Sequence, residues 1–281
     1  MRRKLRLAVV GIAIVKYAGL ALGAFFMLLP FAWMIVSSFM SAAEIMARPL
    51  RWLPAELQLR NYETLATAIP LGNMYANSLI VTISITVGVL LTSSLAGYGF
   101  AKFHFPGRDI LFVLVLATMM IPFFVVLIPI FFLVRQLGWM DSYLGLIVPN
   151  IVTAFGIFLM RQYMLTLPDE LLDAARIDGA SELAIYWRIA LPLAGPALGA
   201  LAILAFVYHW NSFLWPLVVI RSRELATIPI GLNSLRVYAS SPEVINLQMA
   251  GAALAIIPVV AVFAVLQRHF VRGIALTGLK G

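Results

Sequence analysis

No cysteine occurs in the 281 residues. Disulfides, thiolate metal sites and cysteine nucleophiles are thereby excluded. Histidine is nearly as scarce. His104, His209 and His269 are far apart in sequence, so no metal site is expected. No Ser/His/Asp grouping and no glycine-rich phosphate loop ending in Lys-Ser or Lys-Thr is present, which argues against an enzyme and against ATP hydrolysis by this chain. Charge is scarce as well. Only 11% of residues are charged, against roughly 25% in a soluble domain.

What fills the chain is apolar. It is 63% hydrophobic, with a mean hydropathy of +0.99. An all-α, polytopic membrane protein follows, because helices satisfy their own backbone in lipid. The net charge of +8 is scattered at the ends of apolar runs. That distribution fits membrane lipid as the surrounding partner and argues against nucleic acid. Met1-Arg2-Arg3-Lys4 resembles the start of a signal peptide, but the apolar stretch behind it is too long, so an uncleaved first span is expected.

Six runs are long enough to approach a bilayer crossing of about 20 residues: Tyr17–Phe39, Ser78–Phe100, Ile110–Val134, Tyr143–Met160, Leu193–Phe213 and Met249–Leu266. None contains Asp, Glu, Lys or Arg. An ion-coupled carrier usually places an acidic residue inside a span, so that class is disfavoured. Leu7–Val15 either lengthens the first span or lies at the interface. Thirteen basic residues fall on the N-terminal side of this topology and seven on the other. The positive-inside rule then places both termini in the cytoplasm. Pro122 and Pro129 share the third run and are expected to shape or break it. The pairs Gly19/Gly23 and Gly195/Gly199 have the spacing of close helix contacts.

Five of the twelve acidic residues lie in one segment between spans: Asp169, Glu170, Asp173, Asp178 and Glu182. Within the inward loop 161–192, Thr166 is expected to cap a helix, with Pro168 and Asp169 in its first turn. Leu171, Ala174, Ala175 and Asp178 share the i, i+3, i+4, i+7 face. Gly179 suits a left-handed turn, Ser181 starts a second helix, and Pro192 is expected to help stop it.

The string Asp173-Ala174-Ala175-x-x-Asp178-Gly179-Ala180, followed by Ile189-x-Leu191-Pro192, resembles the Glu-Ala-Ala loop of permease subunits in binding-protein-dependent ABC importers. Asp173 stands where that family usually has Glu. The resemblance covers nearly the whole chain, through Asn61-Tyr62, Asn77-Ser78, Phe103–Arg108, Trp210-Asn211 and the tail ending Leu279-Lys280-Gly281. It points to the carbohydrate branch and is similar to the maltose-type six-span permease; a permease for a non-sugar solute is the alternative.

The resemblance implies a single transmembrane domain over 1–281 in a bacterial or archaeal cell membrane. It implies a second permease subunit, of a different chain, two ATP-binding subunits that hold ATP and Mg, and an extracytoplasmic substrate-binding protein. No cofactor is expected on this chain. The loop residues Asp173, Ala174, Ala175, Asp178, Gly179, Ala180, Ile189, Leu191 and Pro192 would dock on the ATPase, and Lys280 and Gly281 would reach it from the tail. The outer segment 221–248 would meet the binding protein. Polar residues Asn150, Thr153, His209, Trp210, Asn211 and Ser212 are candidates for the cargo path. Trp210 and Trp215 suit either sugar stacking or an aromatic belt.

Overall fold

The computed structural model describes the backbone of residues 2–238 and 244–277 and the side chains of 11–235 and 244–267. Among them there is no strand. The helices are α1 (Arg2–Ser37), α2 (Ala42–Ile45), α3 (Arg60–Ala68), α4 (Leu71–Lys102), α5 (Arg108–Thr118), α6 (Phe123–Gln136), α7 (Tyr143–Ile147), α8 (Ala154–Met164), α9 (Asp169–Ile177), α10 (Glu182–Ile185), α11 (Leu191–Leu193), α12 (Gly195–Trp210), α13 (Leu214–Val219), α14 (Ile228–Tyr238) and α15 (Val244–Thr277). The chain forms two compact units, one of Met1–Pro70 with Leu232–Ile256, the other of Leu71–Gly231 with Ile257–Gly281.

Three helical stretches are long and apolar enough to cross a membrane: Gly11–Ser37, Leu71–Lys102 and Val244–Gln267. Three bent pairs bring the number to as many as six. The third sequence run is one of these pairs. α5 and α6 meet at 99°, with Pro122 extended at ψ 140° just before α6. A proline lacks the N–H that would continue the ladder, and it pushes the residue before it out of the helical region. Pro129 sits inside α6 without interrupting it, as Pro30 does in α1 and Pro258 in α15.

In the first unit, Leu7–Val15 belongs to α1 and lengthens the first helix. The chain then turns at Ser38–Ser41, where the sidechain amide of Asn61 donates to the carbonyls of Ser38 and Met40, 2.9 Å each. Its oxygen accepts from Asn246 at 2.7 Å. A buried amide using both donors and its acceptor leaves no desolvation cost uncompensated. Ser41 and Glu44 form a capping box on α2.

The second unit is built on α4, which packs against α8 and α12. Its buried face carries Val81, Ile85, Val89 and Tyr98, which join Met160, Met164, Leu201 and Ala205 in one core. The backbones of α4 and α8 approach closely at Gly97, outside the spaced pairs read from the sequence. A Cβ on Gly97 would lie 2.7 Å from Cβ of Met160 and 2.8 Å from the Arg161 nitrogen. Gly19, Gly23 and Gly195 face open space. The break between α7 and α8 is covered from α4: Thr92 donates to the Ile151 carbonyl at 2.7 Å, supplying a partner that the bend removed. Thr153 caps α8 by accepting from the Gly156 N–H at 3.1 Å.

The far end of α4 is equally engaged. The Asn77 amide donates to the carbonyls of Glu224 (2.7 Å) and Ala226 (3.0 Å) and accepts from the Tyr143 hydroxyl at 2.6 Å. Ser78 Oγ accepts from the Ile228 N–H at 2.9 Å. Asp141 accepts from the N–H groups of Arg221 and Ser222, 3.0 Å each.

Gly97→Ala is expected to lower the thermal midpoint of the detergent-purified protein, at an overpacking cost of about 1–3 kcal/mol. Gly99→Ala, where a Cβ meets nothing within 4 Å, should leave it unchanged. Equal midpoints for the two variants would contradict the close approach of α4 and α8.

Candidate functional site

Two features of the second unit coincide with the residues singled out in sequence: the α9–α10 loop and a polar pocket beside α4.

α9 begins at Asp169, with Pro168 in the capping position and no side-chain cap. Thr166 does not cap it; its hydroxyl donates backward to the Tyr163 carbonyl at 2.7 Å. The inward residue is Leu172, 1% exposed, while Leu171, 49% exposed, lies outward with Ala174 and Asp178. The helix enters from α8 with a rotation that the apolar spacing alone does not set. Asp178 closes α9, and Gly179 turns the chain at φ +82°. Ser181 caps α10 by accepting from the Ala184 N–H at 3.3 Å. Pro192 does not stop this second helical run. The run continues through a π turn at Tyr186–Ala190 into α11, which contains Pro192. The run ends at Ala194, and the next helix departs at 76°.

The loop's charges are largely spent on one another. Arg176 meets Asp173 at 2.5 Å and grips Glu182 with two nitrogens, at 2.6 and 3.3 Å. Glu182 in turn accepts from the Tyr98 hydroxyl of α4 at 3.3 Å. Hydrogen bonds to Glu182 and Asp173 raise the Arg176 pKa further above its usual value. Lys102, the last residue of α4, donates to the Leu167 carbonyl and to Asp169, 2.7 Å each. Its side chain is only 4% exposed. That hydrogen bond, and then the lysine's charge, hold the Asp169 carboxyl below the ordinary carboxylate range. Tyr186 bonds Ser94 of α4 at 2.7 Å. Ser94 already donates to Leu90, so Tyr186 is the donor.

Arg176, Glu182, Lys102, Tyr98 and Tyr186 therefore fasten the loop to α4, a role that the sequence assigned to none of them. The (i, i+3) spacing of Asp173 and Arg176 was the available signal. Ala175, Ala180, Ile189 and Leu191 pack inward against the core, which makes Ile189 and Leu191 anchors of the loop and takes them off its exposed face. Ala174, Asp178, Gly179 and Pro192 are exposed. The large apolar side chains offered outward are Leu171, Ile177 (86%), Leu183 (62%) and Trp187. Lys280 and Gly281 lie outside the described residues.

The pocket is lined by Ser78, Thr82, Asn150, His209, Trp210, Ser212 and Thr227 among others, and its volume is about 10 Å³. That is the lower limit for one water. Four of the six path candidates, Asn150, His209, Trp210 and Ser212, converge here. Thr153 does not, being the α8 cap. Asn211 does not either; it is exposed and bonds back to the Val207 carbonyl at 2.8 Å. Neither tryptophan offers a free face to a sugar. Trp210 is 2% exposed and stacked on Phe206, with ring centroids 5.7 Å apart. Trp215 is 4% exposed and donates to the Gly145 carbonyl at 3.1 Å.

Comparison with known proteins agrees along almost the whole length. Residues 88–276 match the family described as binding-protein-dependent transport system inner membrane component. The arabinooligosaccharides transport system permease protein AraQ of Halalkalibacterium halodurans is 40% identical over 267 residues, 94% of this chain and 95% of that one. The sn-glycerol-3-phosphate transport system permease protein UgpE of Yersinia enterocolitica is 35% identical over 270 residues, covering 94% and 96%. Among solved structures, a chain of a bacterial ABC transporter involved in the import of the acidic polysaccharide alginate superposes with a TM-score of 0.81. It shares 26% identity and covers 92% of this chain and 96% of its own.

Lys102→Met is expected to raise amide exchange across residues 169–182 about tenfold at neutral pH, the loss of roughly 1.5 kcal/mol for a charge-assisted hydrogen bond. Asp169 has a depressed pKa, so its contribution is complete above the ordinary carboxylate range and lost as pH falls through the depressed value. Corrected for intrinsic rates, wild-type protection should drop in acid. The variant should keep only the part of that drop due to Glu182, whose carboxyl the Arg176 hydrogen bond also holds low. Identical profiles would rule out the Lys102 latch.

Proposed function

The chain belongs to the binding-protein-dependent transport system inner membrane component family, and on that footing we propose that it is the permease subunit of an ATP-driven sugar importer. It carries out no chemistry. ATP and Mg belong to two separate ATP-binding subunits, a second and different permease chain completes the membrane path, and an extracytoplasmic binding protein delivers cargo. Both termini lie in the cytoplasm, on the side rich in Lys and Arg.

The observation that carries this reading is the α9–Gly179–α10 elbow. It is rigidly bonded to α4 on one side, yet it presents Ala174, Ile177, Asp178 and Leu183 outward. In a solitary protein such an apolar surface would be a liability. On a permease it is the seat for an ATPase cleft. With Asp173 and Glu182 already paired to Arg176, seating depends on apolar contact and shape, and Asp178 is left to meet the partner's polar groups. Closure of the ATPases on ATP would move the elbow, and α4 with it, as a two-state element.

Sugar cargo is favoured over the non-sugar alternative by the relatives named for arabinooligosaccharides and sn-glycerol-3-phosphate and by the alginate importer. A pocket of about 10 Å³ admits no sugar; ligand sites span about 300–1,000 Å³. The described conformation is accordingly closed at this point. Asn150, His209 and Ser212 are the side chains we assign to the path once α12 and α4 part. Trp210 keeps a packing role.

Two measurements test the reading. Co-expressed with its neighbours, the chain should copurify with an ATPase and drive ATP-dependent sugar uptake in vesicles. Gly179→Leu should insert normally and reduce uptake and cargo-stimulated hydrolysis at least about tenfold, because a left-handed turn costs an L-residue roughly 1–2 kcal/mol and redirects the elbow. Normal uptake by that variant, or solute accumulation by vesicles containing this chain alone, would refute the assignment.

A further inference from the structure

Asn77 and Lys102 stand at opposite ends of α4, twenty-five residues apart with no proline between them. At 1.5 Å per residue that is about 38 Å, more than the roughly 30 Å of a hydrocarbon core. Each end holds a different loop. Near Lys102, α4 grips the elbow through Lys102, Tyr98 and Ser94. Near Asn77, two consecutive side chains bind three backbone groups of the short segment 224–228: the carbonyls of Glu224 and Ala226 and the N–H of Ile228. The Asn77 amide is 5% exposed in residue terms, and its remaining acceptor is occupied by Tyr143.

The covalent route from the elbow to segment 224–228 runs through α11, α12 and α13 and bends by 76° on the way. The route through α4 is one uninterrupted helix, buried against α8 and α12. A packed helix bonded at both ends carries a displacement farther than a hinged chain does.

We propose that Asn77 is a positioning residue for transport. It fastens the start of the outer segment to the same helix whose other end the elbow grips, so that the ATPase-docking surface and the root of the binding-protein-facing segment move as one body. The inference rests on the importer reading above and adds to it the path by which an ATPase event reaches the outer face.

This chain has no cysteine, so labels placed in it require no removal of its own residues. Spin labels at Glu170→Cys and Glu224→Cys, both exposed, are measured by pulsed dipolar spectroscopy in the full complex in vesicles, using a labelled complex that still transports. The expected result is a mean distance that shifts by less than about 2 Å between nucleotide-free and ATP-trapped states, far below the 5.4 Å of a one-turn slip. Asn77→Leu should broaden the distribution and raise about tenfold the binding-protein concentration that half-maximally stimulates ATP hydrolysis. A role in stability alone would lower the amount of complex without moving that concentration. Should Asn77→Leu fail to assemble, Tyr143→Phe, which takes one bond from the amide, carries the same expectation at smaller size. A distance change of a helical turn in the unsubstituted labelled complex, or variants with unaltered distribution and half-maximal concentration, overturns the inference alone. Absence of ATP-driven uptake in the unlabelled complex overturns the importer reading and this inference together.

Discussion

The contact between α4 and α8 is the constraint to which the second unit answers. At Gly97 the two backbones are so close that a single Cβ has no place. Between helices in lipid the hydrophobic effect supplies little, and association depends on close packing and on hydrogen bonds that cross the seam. The Thr92 hydroxyl on the Ile151 carbonyl and the Arg161 guanidinium on the Phe100 carbonyl are such bonds. They let α8 be interrupted near its start and still hold α4 along its length. With that seam fixed, α4 has a defined rotation, and Tyr98, Lys102, Asn77 and Ser78 reach their partners.

The elbow illustrates how charge is used where charge is rare. Arg176, Asp173 and Glu182 form one cluster that ties α9 to α10, and the Tyr98 hydroxyl extends it to α4. Exposed ion pairs contribute little singly. Here the bidentate grip on Glu182 and the buried stem of Lys102 give direction more than energy: they orient an element whose own helices are too short to be stable alone. With Asp173 and Glu182 paired to Arg176, Ile177 and Leu183 are the apolar groups the surface offers to a partner.

Several elements show how far the sequence could be read and where reading stopped. The alanine and glycine string around Gly179 was legible because a left-handed turn restricts residue choice so sharply. The hydrocarbon spans were legible because burying charge is so costly. The 99° break at Pro122 was half legible, since Pro129 in the same run has the same chemistry and breaks nothing. The face shared by Leu171, Ala174 and Asp178 was legible from the helical repeat, whereas the inward anchor Leu172 was not, because a nine-residue helix with few apolar positions leaves its rotation to the helix that precedes it. The tryptophans were ambiguous for the same reason: ring chemistry suits stacking and packing equally, and only the neighbour decides. Phe206 decided it for Trp210.

Composition and local pattern by themselves determined that this is an all-helical membrane chain, turned at Gly179 and with a helix capped at Ser181. Those features follow from solvent and backbone energetics that act within a few residues. The partners of Arg176, Lys102 and Asn77 were decided by tertiary structure alone. Apart from the local Arg176–Asp173 pair, each bond joins groups distant in sequence or on separate helices, the longest spanning 149 positions. Which polar group meets which was fixed by the rotation that the glycine seam imposes on α4.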